Sequence, residues 1–231
     1  MSLDDTRHSR ASDVRLVSDP ILLAEQEARN GLRQFDAVIE LVEYFAHPDR
    51  PFRFRPSQIL HLHRIALDGI NSCAGNFRPA GVEIGGSRHQ PAGAHLVPEQ
   101  VEELCDYVNA NWRASSAIHL AAFVLWRLNW IHPFTDGNGR TSRAASYMIL
   151  CCSIGAVLPG KRTIPDQIAE NKKPYCDALE AADEAQRNGQ MDLTAPEQML
   201  SALLATQLYA VHSDATRGGV SPVVMPPEPS K

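Results

Sequence analysis

Two stretches of helical length and apolar all round, residues 116–130 and 144–157, stand on either side of a polar, turn-rich interruption. A helix that is hydrophobic on every side has no face to offer to water, so both belong in the core of an α-helical bundle. Whatever lies between them is held from both ends by rigid elements. The interruption reads His-Pro-Phe-Thr-Asp-Gly-Asn-Gly-Arg-Thr-Ser-Arg over residues 132–143.

Those residue types suit one kind of chemistry. His132 can be neutral near pH 7, and Asp136 four positions later is a carboxylate suited to a hard cation such as Mg²⁺. Gly137, Asn138 and Gly139 can turn their backbone N–H groups toward one point, because two of the three lack a Cβ. Arg140 and Arg143 lie three apart, which on a helix puts both guanidinium groups on one face. A helix starting near Asn138 aims its unpaired N–H groups and the positive end of its dipole at the same spot, which favours phosphate. General base, metal ligand, anion nest and two arginine clamps describe phosphoryl or nucleotidyl transfer.

Taken singly, each part has a blander reading. A His before Pro is usually a helix-end residue, Asp-Gly and Asn-Gly are turn dipeptides, and arginines three apart most often form a solvated helix face. The conjunction inside one short segment outweighs these readings. A P-loop is excluded, since no Gly-x4-Gly-Lys-Ser/Thr is present and the segment follows a helical pattern. A zinc centre is disfavoured, because His132 and Asp136 have no Cys or His at ligand spacing.

Composition sets the outer limits. The chain has 231 residues, 44% hydrophobic and 21% charged, enough for one substantial core. A net charge of −5 supplies no basic field for nucleic acid. No apolar run spans a membrane and residues 1–13 do not read as a secretory signal, so a cytoplasmic protein is expected, with export by a signal-less route left open. The odd set of five cysteines points to reduced thiols.

Along the chain, residues 1–18 are polar and aperiodic and are expected as a flexible arm. Pro20 opens a helix that Asn30-Gly31 should interrupt, followed by a second helix with Leu32, Phe35, Val38, Ile39, Val42 and Phe45 on one face. Residues 54–68 read as an amphipathic helix in which His61 and His63 are structural. Around residues 78–92 the alternation Val82-Glu83-Ile84 before Gly85-Gly86 suggests a short hairpin. Further helices are expected over 98–109, from Ser115 or Ser116 to Trp130, from Asn138 to Val157, from Thr163 through Leu179, and from Thr194 to about His212. Residues 213–231 are Pro/Gly/Ser-rich and read as a disordered tail.

The segment 132–143 resembles the signature of the Fic family, His-x-Phe-x-Asp/Glu-Gly-Asn-Gly-Arg-x-x-Arg, at every defining position. The resemblance implies a Fic-type helical bundle over residues 19–212 with a small β-hairpin flap. It also implies transfer of AMP from ATP to a Ser, Thr or Tyr hydroxyl of a target protein. His132 is then the general base, Asp136 the Mg²⁺ ligand, and Gly137, Asn138, Gly139, Arg140 and Arg143 the nucleotide-binding set, with the Asn138 side chain adding a bond to phosphate. Gly75, Arg78, Val82, Ile84, Gly86, His89 and Pro91 resemble the flap, where Val82, Glu83, Ile84, Gly85 and Gly86 would hold the target by strand addition. Asn171 and Tyr175 match positions that line the nucleoside pocket. Gly139 stands where relatives that transfer the γ-phosphate carry Lys.

Many relatives are held inactive by a Ser/Thr-x-x-x-Glu-Gly/Asn helix, and no Ser or Thr here has Glu four residues later. Glu25, Glu27 or Asp36 are the substitutes expected to act in its place. Otherwise restraint would come from a separate inhibitory protein or from self-association. Two alternatives remain at this stage: the same site used with another nucleotide or phosphate donor or to remove AMP, and a silent binding module that recruits partners through the flap.

Overall fold

The computed structural model describes residues 9–10, 15–85 and 87–218. Eight α-helices make up nearly all of the regular structure among these residues: α1 (Pro20–Ala46), α2 (Pro56–Leu67), α3 (Val97–Asn111), α4 (Ala117–Ile131), α5 (Asn138–Ile154), α6 (Ile164–Glu170), α7 (Lys172–Arg187) and α8 (Thr194–Gly218). The fold is all-α, as the apolar periodicity required.

The core is built on α4 and α5, which pack along each other and bury side chains on every face, among them Leu120, Leu125, Trp126, Leu128, Ala145, Met148 and Ile149. Around this pair α1 and α2 lie against α5, α3 against α4, and α7 and α8 close the far side. Ser116 caps α4, its Oγ accepting from His119 N at 3.1 Å. Helix α5 ends at Gly155, two residues before the expected stop, because Gly155 takes φ +83° and donates to the Cys151 carbonyl at 2.9 Å.

Helix α1 differs from expectation. It runs unbroken through Asn30-Gly31. The buried Asn30 amide donates to the carbonyls of Ala66 and Asp68, at 3.3 and 2.8 Å, and so satisfies orphan groups at the end of α2. That tertiary tie outweighs the roughly 1 kcal/mol a helical glycine costs. The opposite occurs after Thr163, where one helix was expected and two are present. Pro174 cannot donate to residue 170 and its ring would meet that carbonyl. The chain therefore leaves the helix at Asn171 (φ −140°) and restarts with Asn171 as N-cap of α7.

Three segments lie differently from the sequence reading. Within the expected flexible arm, Ser9–Arg10 (β1) pairs antiparallel with Glu83–Ile84 (β2), and Leu16 N donates to Ile70 O at 2.8 Å. The chain reverses after β2 through Ser87 N bonding Ile84 O at 3.3 Å, so the expected hairpin is a turn whose one strand finds its partner in residues 9–10. Gly86 lies outside the described residues. Helix α8 continues to Gly218, past the end expected near His212, and the rest of the expected tail, residues 219–231, is outside the described set. None of the five cysteines is joined in a disulfide among the described residues.

Candidate active site

His132 is the C-cap of α4 and takes φ 51°, ψ 59°, the left-handed region, alone among the described non-glycine residues. Such a backbone costs about 1 kcal/mol or more and persists only where neighbours hold it. Here they do. The buried Arg78 donates from Nε to the His132 carbonyl at 2.8 Å, and Arg78 N donates to Pro133 O at 2.9 Å. The same guanidinium also bonds the carbonyls of Ala80 and Ala92, at 2.9 and 2.5 Å, so one side chain ties the base of the flap to the loop. His132 is 4% exposed. Its Nδ1 lies 3.2 Å from the Asn129 carbonyl. A carbonyl only accepts, so Nδ1 carries the proton and Nε2 keeps the lone pair that a general base needs.

The loop behind His132 is locked by His63, expected to be structural, together with Phe134 and Asn138. The His63 ring stacks on Phe134 at 3.6 Å between centroids. Its Nδ1 accepts from Gly75 N at 3.0 Å, which leaves the proton on Nε2, 3.0 Å from the Asp136 carbonyl. The bond accepted from Gly75 requires the neutral ring, and burial pushes the His63 pKa down to about 4. The Asn138 amide donates to Phe134 O and accepts from Phe134 N, each at 2.9 Å, so the side chain clamps the loop. Its backbone N–H is the part that can join a nest.

Gly137 has φ +75°, and a Cβ there would lie 2.3 Å from Leu67 Cδ2. Only glycine fits, on both counts. Gly137 N donates to Asp136 Oδ1 at 2.6 Å, and Asp136 Oδ2 accepts from Arg140 Nη2 at 3.2 Å. Arg140 also reaches across to α1, donating to Glu27 Oε1 at 3.0 Å. Of the three acids expected as substitutes for the missing inhibitory glutamate, Glu27 is the one that pairs with a signature arginine. Arg143 pairs with no carboxylate among the described residues and lies 5.9 Å from the Tyr175 ring. A Cβ on Gly139 would come 3.2 Å from Arg143 Nη1 and 3.9 Å from Tyr175 Oη, so Gly139 leaves room for that arginine.

Arg140 and Arg143 line a cavity of about 760 Å³ between α1, α5 and the segment that follows α5. Its walls are mixed, with Phe35, Val38 and Tyr147 on the apolar side and Glu27, Lys161 and Asp166 on the polar side. A volume of this size holds a nucleotide or its polyphosphate. Tyr175, buried under Gly139 and Arg143, and Asn171, exposed at the head of α7, do not line this cavity. Among the described residues no group of three or more His, Cys, Asp or Glu is placed to hold a metal ion. The lone, half-exposed carboxylate of Asp136 instead suits Mg²⁺, which takes one or two protein oxygens and completes its shell with phosphate and water. The flap strand is Glu83–Ile84, flanked by Val82 and Gly85, and its ladder partner is residues 9–10. His89 supports it, stacking on Trp130 at 3.6 Å with its Nε2 2.7 Å from the Trp130 carbonyl.

Residues 53–150 match the Fic/DOC family. The chain is 35% identical over 94 residues to "Protein adenylyltransferase fic-1" of Caenorhabditis briggsae, a match that covers 40% of this chain and 18% of that relative. It thus spans under a fifth of the length of the curated relative it matches. In fold it is similar to a Fic domain containing signaling protein from Bacteroides thetaiotaomicron, with a TM-score of 0.68 at 18% identity over 89% of this chain and 78% of that one. A Fic family protein from Desulfovibrio desulfuricans superposes with a TM-score of 0.62 at 22% identity, over 91% and 58% of the two chains. Signature and family match coincide on residues 53–150, the loop at 132–143 included, which are similar to the Fic/DOC family, and the fold agrees with that of solved Fic proteins.

Proposed function

We propose that this chain transfers AMP from ATP to a Ser, Thr or Tyr hydroxyl of a target protein. The observation that carries the reading is the orientation of the His132 ring. Its Nδ1 is turned to the Asn129 carbonyl, so the basic Nε2 stands at the head of a loop whose next turn presents the glycine nest and two arginines. The adenylyltransferase name of the Caenorhabditis relative supports the same donor chemistry.

In this mechanism Nε2 of His132 takes the proton of the target hydroxyl, a step typically worth about 10²- to 10⁴-fold. The hydroxyl oxygen forms a bond to the α-phosphorus as the bond to the bridging oxygen breaks, and pyrophosphate leaves. Backbone N–H groups at Gly137, Asn138 and Gly139 hold phosphate oxygens at the start of α5. Arg140 and Arg143 bind the leaving portion, for which planar guanidinium groups are suited. Asp136 would hold Mg²⁺, whose charge offsets the negative charge on the leaving pyrophosphate. The strand Glu83–Ile84 would take the target as an added strand once residues 9–10 vacate it, with backbone bonds that ask little of the target's sequence.

The test uses α-labelled and γ-labelled ATP with Mg²⁺ and a cell lysate, wild type beside His132→Ala. The expected result is label on protein from the α position alone, lost in the variant. Label from the γ position would replace AMP transfer with phosphoryl transfer, and equal labelling by His132→Ala would remove the general base.

A further inference from the structure

The connection between α5 and α6 carries a cation that the signature does not contain. Lys161 lines the same cavity as Arg140 and Arg143 and forms no ion pair among the described residues. Its backbone is fixed on both sides by one buried side chain of α8. Gln207 donates from Nε2 to Pro159 O at 2.9 Å and accepts at Oε1 from Ile164 N at 3.0 Å. Gly160, at φ +116°, lies so close on α8 that a Cβ would meet Val211 Cγ2 at 3.1 Å. The loop that presents Lys161 is therefore a built support.

The acids of the cavity are already engaged. Glu27 pairs with Arg140, and Asp166 accepts from both Thr163 N and Thr163 Oγ1, at 2.9 and 2.6 Å, in the capping box that opens α6. Arg162, next to Lys161, is bound to Glu170 and does not line the cavity. Arg143 and Lys161 are left as the cavity's cations without a carboxylate, a pair that calls for an anionic ligand.

Its place along α5 says which part of the ligand. The nest lies at the first residue of α5, the arginines within its first two turns, and the cavity continues to Tyr147, about 10 Å beyond Arg140 at the helical rise of 1.5 Å per residue. A polyphosphate whose reacting phosphorus sits near His132 and the nest therefore extends into the cavity that Lys161 lines. We propose that Lys161 binds the terminal phosphate of the donor and makes the site prefer a nucleoside triphosphate to a diphosphate. This rests on the AMP-transfer reading. A compact ammonium on a flexible stem suits a terminal group with three equivalent oxygens.

The experiment measures ATP and ADP binding by calorimetry with Mg²⁺, in the full chain carrying His132→Ala so that nothing turns over. Lys161→Ala is expected to weaken ATP about tenfold and ADP less than twofold, with Lys161→Arg close to the parent. Because Lys161 is exposed, neither substitution removes core packing. ATP and ADP weakened by the same factor, or neither weakened, overturns the assignment while leaving the donor reading in place. A parent chain that binds neither nucleotide overturns both.

Discussion

The contact between Glu27 and Arg140 sets an internal carboxylate against the donor's phosphates, and replacing Glu27 by Gln measures the competition directly. The two side chains are 45% and 26% exposed, with 3.0 Å between Oε1 and Nη1. At that exposure an ion pair is worth about 0.2–1 kcal/mol, because water screens most of the Coulomb energy. Arg140 must give up this pair to bind phosphate, so Glu27→Gln should tighten ATP by up to about fivefold, since 1.4 kcal/mol corresponds to tenfold. Label transfer at ATP concentrations below saturation should rise by the same factor, with little change at saturation. The gain should shrink as salt is raised from 0.05 to about 0.5 M, over which the Debye length falls well below 10 Å. Global stability should fall by less than about 1 kcal/mol in the same variant. If ATP binding is unchanged or weaker in Glu27→Gln, the carboxylate does not compete, and restraint must come from elsewhere in the molecule or from a partner.

Two predictions concern the support of the loop. Gly137→Ala places a Cβ 2.3 Å from Leu67 Cδ2 at φ +75°, and should cost about 2–4 kcal/mol in denaturant unfolding and abolish label transfer. Gly155→Ala, at φ +83° with nothing within 4 Å, should cost only the strain, about 1 kcal/mol. Equal losses in the two variants would refute the steric argument. For His63, the folded pKa is held down at about 4 against an ordinary 6.5. The unfolded chain therefore takes up a proton that the folded chain refuses. Stability that is fully present above pH 6.5 is lost as pH falls from 6.5 toward 4, by on the order of 3 kcal/mol. His63→Gln should be less stable at pH 7.5 yet show a flatter decline across that window, and an unchanged slope would mean that His63 is not the group responsible.

How much of this was legible in the sequence depends on whether the signal is local. The two core helices and the loop between them were readable because apolar periodicity and turn chemistry operate over adjacent residues. Helix α1 was misread at Asn30-Gly31, since the partners that hold Asn30, the carbonyls of Ala66 and Asp68, lie 36 and 38 residues away. The break at Asn171 did have a local cause in Pro174, which the amphipathic pattern concealed. The flap strand was found, but its ladder partner, residues 9–10, is distant in the chain and carries no pairing signal. Arg78 and His89 were recognised only as flap residues, and their bonds to the His132 and Trp130 carbonyls could not be read from spacing.

The position of Asn138 bears on how the signature works as a whole. Its side-chain amide bonds both backbone groups of Phe134, accepting from the N–H and donating to the carbonyl. Phe134 is in turn fully buried and stacked on His63, which holds the Asp136 carbonyl. The segment therefore divides into two interleaved sets. Phe134, Gly137 and Asn138 face inward and fix the backbone against α2, while His132, Asp136, Arg140 and Arg143 carry the charge and the proton chemistry. Interleaving is what keeps the second set in register, because each functional residue has a buried residue within two positions of it. A substitution in the inward set should thus cost turnover and stability together, whereas one at the partly exposed Asp136, Arg140 or Arg143 should cost turnover with stability nearly unchanged.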